Sequence, residues 1–139
     1  MPAASRSYAA GLPVRSGEEP WTAEELRQAQ AELESEAVGL RADIDAAVAD
    51  LAGRLTDSTR DPGDDEADAG TKAFEHEHDL ALARKAQDLL DQGERALGRI
   101  DAGTYGVCES CGKPIGKARL LAFPQANLCM ECKQRQERR

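Results

Sequence analysis

The chain has 139 residues, of which 40% are hydrophobic, 32% charged and only 4% aromatic, and its formal net charge is −8. So few aromatic side chains exclude a large globular core and favour amphipathic helices built on Ala and Leu over a sandwich or an α/β sheet. The acidic balance argues against a protein that coats nucleic acid, since neutralising phosphates drives that binding, and no apolar run reaches the ~18 residues that span a bilayer.

Residues 1–20 hold Gly11, Pro13, Gly17 and Pro20 among small polar residues, which reads as a flexible N-terminal tail. They lack the continuous apolar run of a signal peptide, so a cytoplasmic protein is expected. A helix start follows. Thr22 is a good N-cap, Glu25 completes a capping box with it, and Trp21 is placed to staple onto Leu26. Leu26, Leu33, Leu40 and Ala47 recur every seven residues, and Gln30, Ala37, Ile44 and Leu51 form a second series offset by four. These are the a and d positions of a coiled-coil seam. The helix is expected to run to about Leu55.

The next stretch, TDSTRDPGDDEADAG at 56–70, contains Asp57, Asp61, Asp64, Asp65, Glu66 and Asp68 but no side chain able to anchor a core. A solvated acidic turn is one reading. The other is a charged tip presented to a metal ion, a basic patch or a deep channel. A second helix is expected from near Thr71 to near Gly103, a C′ glycine. Its apolar stripe runs through Leu82, Ala86, Leu89, Gly93, Ala96 and Ile100, widened by Leu90 and Leu97. Both helices are roughly 50 Å long at 1.5 Å per residue. Folding back into an antiparallel hairpin over 21–103 buries both stripes within a monomer; pairing between two copies through the same seams is the alternative. His76 and His78, two apart on this helix, point to different sides and make a poor metal pair.

All four cysteines fall near the C-terminus, as Cys108-Glu-Ser-Cys111 and Cys129-Met-Glu-Cys132, with seventeen residues between the pairs. Two such pairs read as a tetrahedral four-thiolate zinc site, and Gly112 fits the tight turn of the first knuckle. Two disulfides are disfavoured in an intracellular chain, and a dithiol redox site needs one pair rather than two. Four protein ligands leave no open position, so one structural Zn2+ is expected and catalytic zinc is not. The acidic loop offers no paired base, phosphate cradle or open metal site, which argues against an enzyme. From Cys108 onward seven Lys or Arg stand against three Asp or Glu, a net +4, leaving −12 on residues 1–107. Residues 104–139 therefore read as a zinc-finger domain with a basic C-terminal helix, KQRQERR. Leu120, Leu121, Phe123 and Pro124 are expected to pack it, and Arg119 to brace a knuckle or meet a partner. The expected fold is all-α: a long antiparallel coiled-coil hairpin followed by this small four-cysteine domain and its helix.

Cys108-Glu-Ser-Cys111, Ile115, Arg119, Pro124, Cys129 and Cys132 together resemble the zinc-finger signature of the DksA/TraR family, and Gly103-Thr104-Tyr105-Gly106 is similar to its lead-in. The resemblance covers about residues 22–139 in architecture and is specific from about residue 65 onward. It implies a cytoplasmic transcription factor that binds RNA polymerase rather than DNA. Such proteins insert the coiled coil into the enzyme's secondary channel, bring acidic tip residues near the active centre and alter initiation complexes, often together with ppGpp. The tip departs from the family's Asp-x-x-Asp-x-Ala. Two frames stand here, Asp61-x-x-Asp64-x-Glu66 and Asp65-x-x-Asp68-x-Gly70, and the run from Ala67 to Thr71 favours Asp65 and Asp68. The alternative function is a zinc-ribbon module that contacts nucleic acid or another protein through its basic C-terminal segment.

Overall fold

The computed structural model describes residues 8–60 and 66–138, the side chains of 55–72 excepted. Four helices follow in chain order: α1 (Ala23–Arg60), α2 (Glu66–Ala102), α3 (Lys117–Ala122) and α4 (Met130–Glu137). The chain forms two compact units, one of Met1–Ala37 with Asp91–Arg139 and one of Val38–Leu90. Among the described residues there is no β-strand, only an isolated bridge between Val107 and Pro114. No described helix is long and apolar enough to cross a membrane.

α1 starts as its sequence dictates. The Thr22 hydroxyl accepts from the Glu25 N–H at 3.1 Å, and the Glu25 carboxylate accepts from the Thr22 N–H at 3.0 Å. That reciprocal pair satisfies two of the donors a helix N-terminus leaves unpaired. α2 ends in a Schellman turn. The Thr104 N–H reaches the Arg99 carbonyl and the Gly103 N–H the Ile100 carbonyl, with Gly103 at φ 78°. A left-handed residue there favours glycine. Both long helices run about five residues further toward the acidic segment than sequence periodicity suggested. Nothing between Leu55 and Arg60 breaks a helix, and Gly70 inside α2 costs only about 1 kcal/mol.

In the first unit the seam is fully closed. Leu26, Ala29 and Leu33 of α1 share one buried cluster with Ala96 and Ile100 of α2, the antiparallel match of one helix's start with the other's end. Trp21 is buried in the same cluster as Leu26. In the second unit the α1 seam continues through Leu40, Ile44, Ala47 and Leu51, each only half-buried. A pair of helices covers each seam residue from one side, whereas the first unit adds a third layer. α2 departs there from its expected stripe at Leu82, which is 53% exposed. The half-buried positions are His76, Asp79, Ala83, Ala86 and Leu89, and Leu90 is buried, so the stripe holds from Ala86 onward. Asp79 forms an ion pair with Arg54 across the seam. A charged pair fixes one register between the helices, which an Ala-rich seam specifies weakly.

The segment expected to be a flexible tail is packed from Tyr8 onward; residues 1–7 lie outside the described residues. Ala9 and Leu12 are buried in the cluster that also holds Tyr105, Ile115 and Leu120. The Tyr8 hydroxyl donates to the Ile100 carbonyl. Its partners lie about a hundred positions away in the chain, where local composition carries no sign of them.

Candidate metal centre

The first cysteine pair sits on a small hairpin. The Ile115 N–H bonds the Gly106 carbonyl and the Cys108 N–H the Lys113 carbonyl, both at 2.9 Å. Gly112, at φ 75°, closes the turn with its N–H on the Cys108 carbonyl at 3.0 Å. Such a turn folds the backbone around the sulfurs and aims N–H groups at them. The second pair uses a helix start. Cys129 is the extended residue before α4 and Cys132 lies in its first turn, so spacing by three brings both sulfurs to one side.

The two halves meet. The sulfurs of Cys108, Cys111, Cys129 and Cys132 all lie within 4.8 Å of one another. The Cys111 and Cys129 sulfurs are 3.8 Å apart, and a tetrahedral site with zinc–sulfur bonds of about 2.3 Å requires ~3.8 Å between ligand sulfurs. The donor set and its spacing therefore fit zinc. Cys108, Cys129 and Cys132 are buried and Cys111 is exposed.

The electrostatics favour ionised sulfur at one position first. Burial alone raises the Cys108 thiol, but the N–H groups of Cys111, Cys129 and Ser110 outweigh it and bring it down to about 6. Cys132 moves the other way, pushed up to about 12 by the hydrogen bond between its thiol and the Cys129 sulfur and then by burial. A divalent cation among these sulfurs replaces the shared protons and removes that asymmetry.

A second layer fixes both knuckles to α2. Glu109, between the first two cysteines, pairs with Arg99 and stands 3.9 Å from Arg95. Its carboxylate also accepts from the Asn127 amide at 3.0 Å, and its own N–H bonds the Asn127 carbonyl at 2.9 Å. Gln92 donates to the Gln125 carbonyl at 2.8 Å. Sequence reasoning missed this layer, although Gln92, Arg95 and Arg99 recur at helical spacing on one face of α2. Arg119 braces the second knuckle through its Nε on the Leu128 carbonyl at 3.1 Å. The Tyr105 hydroxyl donates to the Pro124 carbonyl at 2.7 Å, and burial pushes its phenol well above the usual range. Of the four residues expected to pack the domain, Leu120 and Pro124 are buried, while Leu121 and Phe123 are exposed at 38% and 55%.

Other candidate residues lie apart from this centre. Asp61, Asp64 and Asp65 fall outside the described residues. Asp68 belongs to α2, with its side chain outside the description. His76 is half-buried in the seam and His78 exposed. Neither belongs to a cluster of potential metal ligands among the described residues.

Fold and site together define a helical-hairpin protein with a four-cysteine zinc finger. Residues 103–138 match the family described as the prokaryotic dksA/traR C4-type zinc finger. The structure of transcription factor DksA2 from Pseudomonas aeruginosa aligns with a TM-score of 0.65 and 32% identity, over 83% of this chain and 84% of that one. The chain belongs to the DksA/TraR family. It is 40% identical over 75 residues to the RNA polymerase-binding transcription factor DksA of Caulobacter vibrioides, 54% of this chain and 53% of that protein. Identity to the protein of the same name from Escherichia coli K12 is also 40%, over 63 residues, 44% and 42% of the two chains. The matched stretches thus span about half the length of these curated relatives or less.

Proposed function

We propose that this protein is a DksA-like, non-enzymatic regulator of transcription that binds RNA polymerase in the cytoplasm as a monomer. The observation that carries this reading is the likeness to the DksA2 structure, which extends over 83% of the chain and so well beyond the zinc finger. Residues 21–103 act as a probe that enters the polymerase secondary channel with the acidic segment 56–70 leading. Residues 104–139 form the domain held by Cys108, Cys111, Cys129 and Cys132 around one zinc ion. When bound, zinc supplies a fixed cross-link between the knuckles and no chemistry on a substrate. Binding to the enzyme rather than to specific DNA agrees with the net charge of −8, since a chain of that sign gains nothing from releasing the counterions of DNA.

In this reading the tip acids, Asp61, Asp64, Asp65 and Asp68, act on charged groups near the polymerase active centre. The Asp65→Asn/Asp68→Asn double variant is expected to keep its helicity and zinc content. Transcription with purified bacterial RNA polymerase tests it: the native protein changes transcript yield at responsive promoters, and the variant returns yields to the level without factor. An undiminished effect removes Asp65 and Asp68 from the mechanism.

A further inference from the structure

The segment before Trp21 rests on a seat made of glycines. Gly103, Gly106 and Gly116 all have positive φ, at 78°, 100° and 112°. A Cβ on Gly103 would meet the Tyr8 ring at 3.9 Å, one on Gly106 would meet Pro13 at 3.6 Å, and one on Gly116 would meet the Arg15 side chain at 3.0 Å. Only Gly116 serves the close approach of the N-terminal segment as well as its own turn; at Gly103 and Gly106 a Cβ would stand at ordinary contact distance, and the positive φ alone calls for glycine. The apolar hold is small, chiefly Ala9 and Leu12. Ordering a dozen residues opposes it, at roughly 1–2 kcal/mol for each backbone unit fixed.

What adds to that hold is a polar latch. The Glu18 carboxylate accepts from the Lys117 and Ala118 N–H groups, both at 2.9 Å, and from the Arg15 N–H at 2.7 Å. Gly116 has no side chain with which to cap α3, so Glu18 does so from across the chain. The Lys117 ammonium then joins the segment to α1, with the Glu25 carboxylate at 2.7 Å and the Pro20 carbonyl at 3.2 Å. Hydrogen bonds to an ionised carboxylate are among the stronger ones a surface element can make.

The same segment walls a cleft of about 300 Å3, in which Arg15 and Ser16 face Lys113, Cys129 and Glu131. Arg15 and Glu131 stand 3.9 Å apart. Cys129 is one of the buried sulfurs, whereas Cys111 is exposed. Detaching Cys111 alone leaves three thiolates on the ion, so emptying the site also needs a buried ligand to let go. Cys129 is a buried ligand that borders this cleft, and Cys132 borders a second one of about 240 Å3, lined by Ser110, Leu128, Arg135 and Gln136 and not by the segment. The segment thus covers the Cys129 side of the site.

We propose that residues 8–20 form a latched strap that sets how fast zinc enters and leaves the four-cysteine site. The proposal rests on the zinc reading above. Zinc loss from the loaded full-length chain is followed with excess EDTA as acceptor, and released metal is read with 4-(2-pyridylazo)resorcinol. Removing the latch by Glu18→Ala raises the open population of the strap and speeds zinc loss on the order of tenfold, when opening is fast relative to release. Arg15→Gln, which widens the cleft but leaves the Glu18 bonds in place, speeds it by a smaller factor. Glu19→Gln, the same change of charge at the exposed neighbour, leaves the rate at that of the wild type. Hydrogen exchange over residues 8–18 rises in Glu18→Ala alone. The proposal is overturned if exchange shows the strap loosened while zinc leaves at the wild-type rate. Should Glu18→Ala fail to fold, a wild-type rate in Arg15→Gln overturns it equally. A wild-type chain that takes up no zinc would instead undo the zinc reading, a failure visible in its metal content before any rate is measured.

Discussion

Cys129→Ser is expected to leave the chain without an ordered zinc domain, the largest effect of any single substitution considered. Serine's hydroxyl does not ionise near neutral pH and cannot replace a thiolate, so the site drops to three ligands. A structural zinc contributes on the order of 10 kcal/mol in small zinc-finger units, comparable with the whole stability of an ordinary domain. The domain's own large apolar side chains in the buried cluster, Tyr105, Ile115 and Leu120, are few for a segment of this length, and the rest of that cluster comes from the helices and the N-terminal segment. The knuckles are therefore expected to loosen without metal. Trp21, the chain's single tryptophan, reports the loss directly. It is 1% exposed and packs edge-on to Tyr105 with ring centroids 5.8 Å apart. Its emission should shift to the red in Cys129→Ser, and also when a chelator strips the wild type, while helicity from the Val38–Leu90 unit persists. Unshifted emission from zinc-free protein would mean that packing alone orders this domain.

Leu33→Ala is the second large effect, and its size relative to Leu51→Ala reports how burial changes along one seam. Leu33 is 1% exposed in the first unit. Truncating a buried leucine removes its transfer energy and leaves a cavity, together 2–5 kcal/mol in typical cores. Leu51 occupies a seam position in the second unit but is only half-buried. Its truncation leaves no closed cavity and should cost about 1 kcal/mol. Urea unfolding of the zinc-loaded variants compares the two. Equal losses would mean that the Val38–Leu90 seam is closed as tightly as the one around Leu33, contrary to the exposures.

Features governed by neighbours in sequence were legible before the structure. The Thr22–Glu25 box, the Gly103 turn, the heptad seam of α1 and the four-cysteine cluster each follow from residues that meet within a turn or two, or from a ligand spacing that chemistry fixes. The N-terminal segment was not legible. Gly11, Pro13, Gly17 and Pro20 look like a linker, and the carboxylate that anchors it finds its donors 99 and 100 positions away. Leu82 fits the four-and-three spacing of the stripe, but Asp79, paired with Arg54, and Ala83 take the inward positions there and Leu82 is exposed. Glu109 was hidden for a similar reason. Between two cysteines it looks like filler, and only the fold brings Arg99 and Asn127 to it.

The central claim is that this chain engages RNA polymerase, and direct binding tests it most simply. Zinc-loaded full-length protein is incubated with bacterial RNA polymerase core, beside a variant whose 61–68 acids are changed to Asn and Gln. The account predicts capture of polymerase by the native protein at or below tens of micromolar, about 6–7 kcal/mol of affinity. Capture that survives the tip change would assign the acids to a step after docking. No capture by either form at that concentration would contradict the account and turn attention to partners of the basic C-terminal segment.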